Sequence, residues 1–312
     1  MMQEVFVGVD VAKDWLDVYH PGRGARRINN TPAAVRVFAA ACARECVWII
    51  FEASGGYDRL LCTTLEAASV RFSRVNPRQA RDFARAIGVI GKTDRVDARM
   101  LSELGARLHP APTEPLAAER RALQAQATRR RQLVEIRKQE ATRLQQTADS
   151  EARADICSLI TVLDRRIAKV EARMAALIAV DPELSAIDRR LQSVPGVGPI
   201  VAVTLIVELP ELGQLDRRSI AALAGLAPIA RDSGKRTGRR TIGGGRPIVR
   251  TMLYIAALHA SRRCPVFKDF RSRLESTGKP VKVAIIATAR KLLGVLNAML
   301  ANGTDYRSVD PI

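Results

Sequence analysis

The sequence predicts an α/β domain followed by two helical regions, and three observations carry that reading. Short apolar runs alternate with helix-like stretches over the first 110 residues or so. From Ala117 to Asp181 the chain contains neither Gly nor Pro. Beyond Pro182, apolar segments with helical spacing are separated by turns rich in Gly and Pro. Apolar residues make up 47% of the 312, enough for a sizeable core.

In the first region, Val5–Asp10 is an apolar run that ends in an acid, as a buried strand with a carboxylate at its carboxyl end does. Trp15–Tyr19 follows as the return strand of a hairpin, and residues 26–29 form a third strand. Thr31 caps an Ala-rich helix to Arg44. Cys46–Glu52 is the next buried strand and again ends in an acid. Gly55-Gly56 breaks it, a helix spans 57–68, a strand spans 70–75, and Asn76-Pro77 opens another helix. Ligands of open α/β sheets bind beyond the carboxyl ends of the strands, where Asp10 and Glu52 fall.

The stretch Gly91-Lys92-Thr93-Asp94-Arg95-Val96-Asp97 reads as a helix start, with Thr93 as N-cap. Asp94 and Asp97 are three residues apart and share one face. Two readings stand for the pair alone: a surface helix with local Asp–Arg pairs, or two carboxylates gathered around a cation. With Asp10 and Glu52 they make four carboxylates, a donor set that suits Mg²⁺ or Mn²⁺ and the two-ion chemistry of phosphoryl transfer.

Charge points to the same partner class. The formal net charge is +18 and the pI about 10.6, the balance of a protein that meets a polyanion, most often nucleic acid. Aromatics are 4%, too few for base stacking as the main binding mode. The five cysteines have no ligand or disulfide spacing, which points away from a zinc site and towards a reducing cytoplasm. Met1-Met2-Gln3-Glu4 has no signal-peptide pattern, and the apolar stretch 200–207 is too short to span a bilayer.

The order of hairpin with Asp, strand with Glu, then helix with Asp-x-x-Asp resembles the ribonuclease-H-like (RuvC-like) fold of Holliday-junction resolvases. Three segments, 8–13 (GVDVAK), 51–57 (FEASGGY) and 92–98 (KTDRVDA), are similar to the signatures of the DEDD transposases of insertion-sequence family 110, the bridge-RNA-guided recombinases. Ser54 stands where that family more often has Thr. The resemblance implies an N-terminal RuvC-like metal-binding domain over 1–112, a coiled-coil linker over 113–185 and a C-terminal transposase domain over 186–312.

The Gly- and Pro-free stretch carries Leu, Ile and Val at three- and four-residue spacings, as one or two long amphipathic helices do; a reversal near 149–155 makes an antiparallel coiled coil. Arg129-Arg130-Arg131 lies on it, either facing solvent or touching phosphate. Further on, Val194-Pro195-Gly196-Val197-Gly198-Pro199 matches the hairpin of a helix-hairpin-helix element, in which the amides at Gly196 and Gly198 approach phosphate. Between helix-like segments at 219–226 and 248–261 runs a cationic, glycine-rich loop containing Arg231, Ser233, Lys235, Arg236, Arg239, Arg240 and Arg246, with Arg250 just beyond it. Together with Lys92 and Arg95 these are the candidate nucleic-acid contacts. Two further helices, 267–275 and 281–300, complete the chain.

On the residues alone, Ser233 is a turn residue or a donor to phosphate. The family resemblance covers this region too, through Gly225-Leu226-Ala227-Pro228 and Ser233-Gly234. It implies that Ser233 attacks DNA and forms a phosphoserine link, that the carboxylate cluster supplies the activation a hydroxyl needs, and that serine and carboxylates come from different protomers of a dimer or tetramer. It also implies donor and target DNA as substrates, a guide RNA as partner, and a cytoplasmic, nucleoid-associated setting. The competing expectation is a resolvase-like nuclease in which metal-activated water replaces the serine.

Overall fold

The computed structural model describes residues 4–88, 94–230, 238 and 240–307. They divide into two units, which meet in sequence at Pro115 and Leu116.

The first unit is built on a five-stranded mixed sheet. Its strands are β1 (Phe6–Val11), β2 (Trp15–His20), β3 (Gly24–Asn29), β4 (Trp48–Glu52) and β5 (Phe72–Val75). The order across the sheet is β3-β2-β1-β4-β5. β1, β2 and β3 form an antiparallel meander, while β4 and β5 add in parallel to the other side of β1. This arrangement is consistent with a ribonuclease-H-like domain.

Alternation along the strands sorts the core into two layers. Val7, Val9 and Val11 of β1, with Ile49 and Phe51 of β4, pack towards Phe38 of α1 (Pro32–Glu45) and Leu61 and Leu65 of α2 (Arg59–Ala67). Phe6, Trp48 and Ile50 face the other way, onto Met100, Leu101 and Leu104 of α4 (Asp94–Leu108) and Ala80 of α3 (Pro77–Ala86). The free edge of β5 is covered by the segment that follows α4. Thr113 donates its backbone N–H to Phe72 O at 2.8 Å and accepts from Arg74 N at 2.8 Å. Ser73 Oγ reaches the Pro110 and Ala111 carbonyls and accepts from Trp48 Nε1 at 2.9 Å. An edge so paired is closed to further strands.

The second unit is helical. α5 (Ala118–Gln146) and α6 (Ser150–Val180) pair antiparallel through Leu133, Leu163 and Val170, with Arg130–Glu171 and Arg137–Asp164 ion pairs between them. The chain reverses at 147–149, where Asp149 caps α6 through Ala152 N. That is slightly earlier than its composition suggests. α7 (Pro182–Gln192), α8 (Pro199–Glu208), α9 (Arg217–Leu223), α10 (Pro247–Arg263), α11 (Pro265–Ser276) and α12 (Val281–Asn302) follow. They share one hydrophobic core with the lower part of α5 and α6. α12 is long and apolar enough to cross a membrane by composition, but it packs into the core of this unit, with Ala284, Ile285, Ala289, Leu292, Leu293 and Leu296 buried. A two-residue ladder, β6 (Pro228–Ile229) with β7 (Thr241–Ile242), closes the base of the basic loop.

Candidate functional site

The acids expected at strand ends come together through the sheet register. Val9 of β1 is level with Phe51 of β4, so the next residues along these parallel strands, Asp10 and Glu52, are neighbours. Because Val9 and Phe51 face α1 and α2, alternation turns Asp10 and Glu52 to the α4 side.

Glycine at position 8 sets how close α4 comes. A Cβ there would stand 1.9 Å from Ala98 O and 2.5 Å from Ser102 N, so the helix backbone rests directly on β1. Ser102 Oγ donates to Phe6 O at 2.7 Å, a buried bond one turn further down the helix. Gly105 meets the side chains of Phe6 and Ile50. Moving towards the N-terminus of α4 therefore means moving along β1 towards Asp10. The first turn of α4, with Asp94 and Asp97, lies at the carboxyl ends of β1 and β4. Asp10, Glu52 and Asp97 are all half-buried there, and the helix N-terminus favours ionised carboxylates.

The row continues onto a residue that the sequence did not single out. Asp17 on β2 is the cross-strand partner of Asp10, and Arg27 on β3 that of Asp17, so the three share a face. Asp17 is 3% exposed and receives two bonds from Arg27, Nε at 3.0 Å and Nη2 at 2.7 Å. Arg27 also lies over the Trp15 ring at 4.7 Å. The signal was an acid between Leu16 and Val18 in the middle of a strand.

The donors are all oxygen, the chemistry that hard divalent cations take. Among the described residues no group of three or more Asp, Glu, His or Cys side chains is gathered closely enough to hold an ion. Lys92, Thr93, and the side chains of Asp94 and Arg95 lie outside what the structure describes. Burial pushes the Cys42 and Cys62 thiols up to about 12, so neither supplies a thiolate nucleophile at neutral pH.

In the helical unit, Ser233 with Arg231, Lys235, Arg236 and Arg239 also lies outside the described residues, while Arg240 is exposed just before β7. Arg246 grips both carboxylate oxygens of Glu211 at 2.6 Å and donates to Glu208 O at 2.8 Å. Glu208 in turn accepts from Arg131 of α5 at 2.5 Å. Arg250 donates to Gly244 O at 2.8 Å. These two arginines thus brace the base of the loop. Arg130 and Arg131 are likewise engaged with carboxylates of the same unit. Gly196, at φ 97°, packs against α10, where a Cβ would meet Ala260 N at 2.5 Å; this glycine is required by a close approach of backbones. Gly198 opens α8, and no atom of the described residues lies within 4 Å of a Cβ added there.

Known proteins resemble the chain over both of its units. A DEDD transposase model of the IS110 type matches residues 7–151, and the model described as transposase IS116/IS110/IS902 family matches residues 188–272. The chain belongs to this transposase family, whose members are enzymes of DNA strand cleavage and rejoining. It is 29% identical to the pilin gene-inverting protein of Moraxella lacunata, over 98% of both chains. It is 30% identical to an uncharacterized 43.6 kDa protein of insertion element IS110 from Streptomyces coelicolor, over 50% of this chain and 38% of that one.

Proposed function

We propose that the chain is the recombinase of an insertion sequence, cutting and rejoining DNA through a covalent Ser233 intermediate. The register that makes Asp10 and Glu52 neighbours under the first turn of α4 is the observation that carries the reading. Asp10, Glu52, Asp94 and Asp97 would hold Mg²⁺ or Mn²⁺. Such an ion supplies Lewis-acid stabilisation of the phosphate and lowers the pKa of an attacking hydroxyl. The Ser233 oxygen then bonds to a backbone phosphorus as one phosphorus–deoxyribose oxygen bond breaks. The serine phosphodiester keeps the strand end until a DNA hydroxyl displaces it and restores the serine. The cationic loop around Ser233 supplies the phosphate contacts that hold the strand in place. The Moraxella relative is named a pilin gene-inverting protein, and turning a gene around requires strands to be cut and rejoined.

A guide RNA that selects donor and target, and a dimer or tetramer in which serine and carboxylates come from different protomers, complete the proposal; both rest on family membership. The second reading is a nuclease that uses water, and it is favoured by the DEDD character of the matching model.

The test is a recombination assay in bacteria carrying the element's ends on a plasmid. Asp10→Asn and Asp97→Asn should each lower product by at least about 100-fold, the scale of losing a group that stabilises the transition state. Wild-type levels of product with both variants would refute the carboxylate site.

A further inference from the structure

We propose that Asn30 is a positioning residue that fixes the spacing between Asp10 and Glu52. The proposal rests on the metal-site reading above, and its observations are independent of it.

Asn30 follows the last residue of β3 and lies where three segments meet. Its side-chain Nδ2 donates to Ala12 O at 2.9 Å, in the turn two residues after Asp10. The same nitrogen donates to Tyr57 O at 3.2 Å, in the loop five residues after Glu52. Its backbone N–H donates to Asp14 O at 2.9 Å, which joins the end of β3 to the turn from β1 into β2. One amide group thus ties the turn behind one carboxylate to the loop behind the other. Both partners of Nδ2 are carbonyl oxygens, so the amide orientation is fixed: only NH₂ can face them.

The loop after Glu52 needs such a tie. It contains Gly55 and Gly56 at φ 65° and 113°, and no atom of the described residues lies within 4 Å of a Cβ added at either. Its near end is held by Ala53 N donating to Val75 O at 3.2 Å. Its far end is held by buried Asp58, which pairs with Arg74 of β5. Both of these anchors lead to the β5 side of the sheet. Asn30 supplies a tie towards β1, the strand that carries Asp10. Its Oδ1 is buried with no hydrogen-bond partner among the described residues. A buried unmet acceptor costs stability, so the side chain is held by what its NH₂ does.

The variants are Asn30→Asp, which keeps the shape and sets an oxygen against two carbonyls, and Asn30→Ala, which deletes the tie. Two measurements on the full-length protein separate the possible failures. The first is hydrogen exchange of the peptides covering residues 10–14 and 53–58 without metal. Both variants should exchange at least about tenfold faster there, with exchange in α10 and α12 unchanged. The second is Mn²⁺ binding by isothermal titration, where both variants should bind at least about tenfold more weakly than wild type. Unchanged exchange in the two segments overturns the tie. Unchanged Mn²⁺ affinity in the variants, with a wild type that binds, overturns the positioning role. A wild type that binds no Mn²⁺ overturns the metal-site reading instead, and the exchange result then still decides whether Asn30 joins the two loops. If Asn30→Ala fails to fold, Asn30→Asp, the same size as the native side chain, carries both measurements.

Discussion

Replacing Gly8 with alanine tests the link between the sheet and the acidic helix. The added Cβ would lie 1.9 Å from Ala98 O and 2.5 Å from Ser102 N, both backbone atoms of α4. Neither can rotate away, so the helix must retreat by about 1.5 Å to reach ordinary contact, in a core that is close-packed on its other side. Overpacking of this kind costs about 1–3 kcal/mol. The 2.7 Å bond from Ser102 Oγ to Phe6 O stretches as the helix moves, at a further cost of about 1 kcal/mol. Gly8→Ala should therefore lose about 2–4 kcal/mol in urea denaturation followed by circular dichroism. The same retreat carries Asp97 away from Asp10. A misplacement of about 1 Å at a reacting centre costs on the order of 100-fold in rate, so strand cleavage should fall by at least that factor at a temperature where the variant is folded. A folded variant with wild-type cleavage would refute the claim that α4 delivers carboxylates to the strand ends.

Two further outcomes concern stability. Arg27→Met leaves Asp17 buried beside Asp10 without its counter-charge; because the Arg27 side chain is half exposed, the loss should be about 1–3 kcal/mol, read by the same denaturation, and no loss would show the pair to be incidental. For Glu211, burial pushes the carboxyl up, but the two bonds and the charge of Arg246 outweigh it and hold the group below its ordinary value of 4.5. A lowered carboxyl contributes stability that is fully present above that value and is lost as pH falls through the folded value. The stability difference between wild type and Arg246→Met should therefore be level above about pH 5 and shrink below 4.5; a difference that grows on acidification would contradict the assignment.

Much of this architecture was legible because burial writes itself into residue type. The runs 5–10 and 46–52 are apolar on both faces, as central strands covered by helices on either side must be, and each ends in the acid that the register brings level. Gly8 reads in sequence as one residue of a motif, and only the 1.9 Å approach of Ala98 explains why no side chain is tolerated. The pair Asp17–Arg27 escaped because it joins strands of one meander, and which acid meets which base depends on register. The ladder of β6 and β7 is two residues per strand, too short for any period. Arg130, Arg131 and Arg246 have the composition of a phosphate-binding surface. Their partners Glu171, Glu208 and Glu211 lie 41, 77 and 35 residues away, so only the packed helices reveal the pairing.

The central claim is chemical, that a serine and not water attacks the DNA. It is tested most directly by mixing the purified protein, its divalent ion and any required guide RNA with radiolabelled DNA carrying the element's end, and resolving the products on a denaturing protein gel. The account predicts a labelled protein–DNA band that is present with wild type, absent with Ser233→Ala, and lost from wild type when the divalent ion is chelated. Cleaved DNA with no such band, and equal cleavage by Ser233→Ala, would contradict it and leave the carboxylates to activate water.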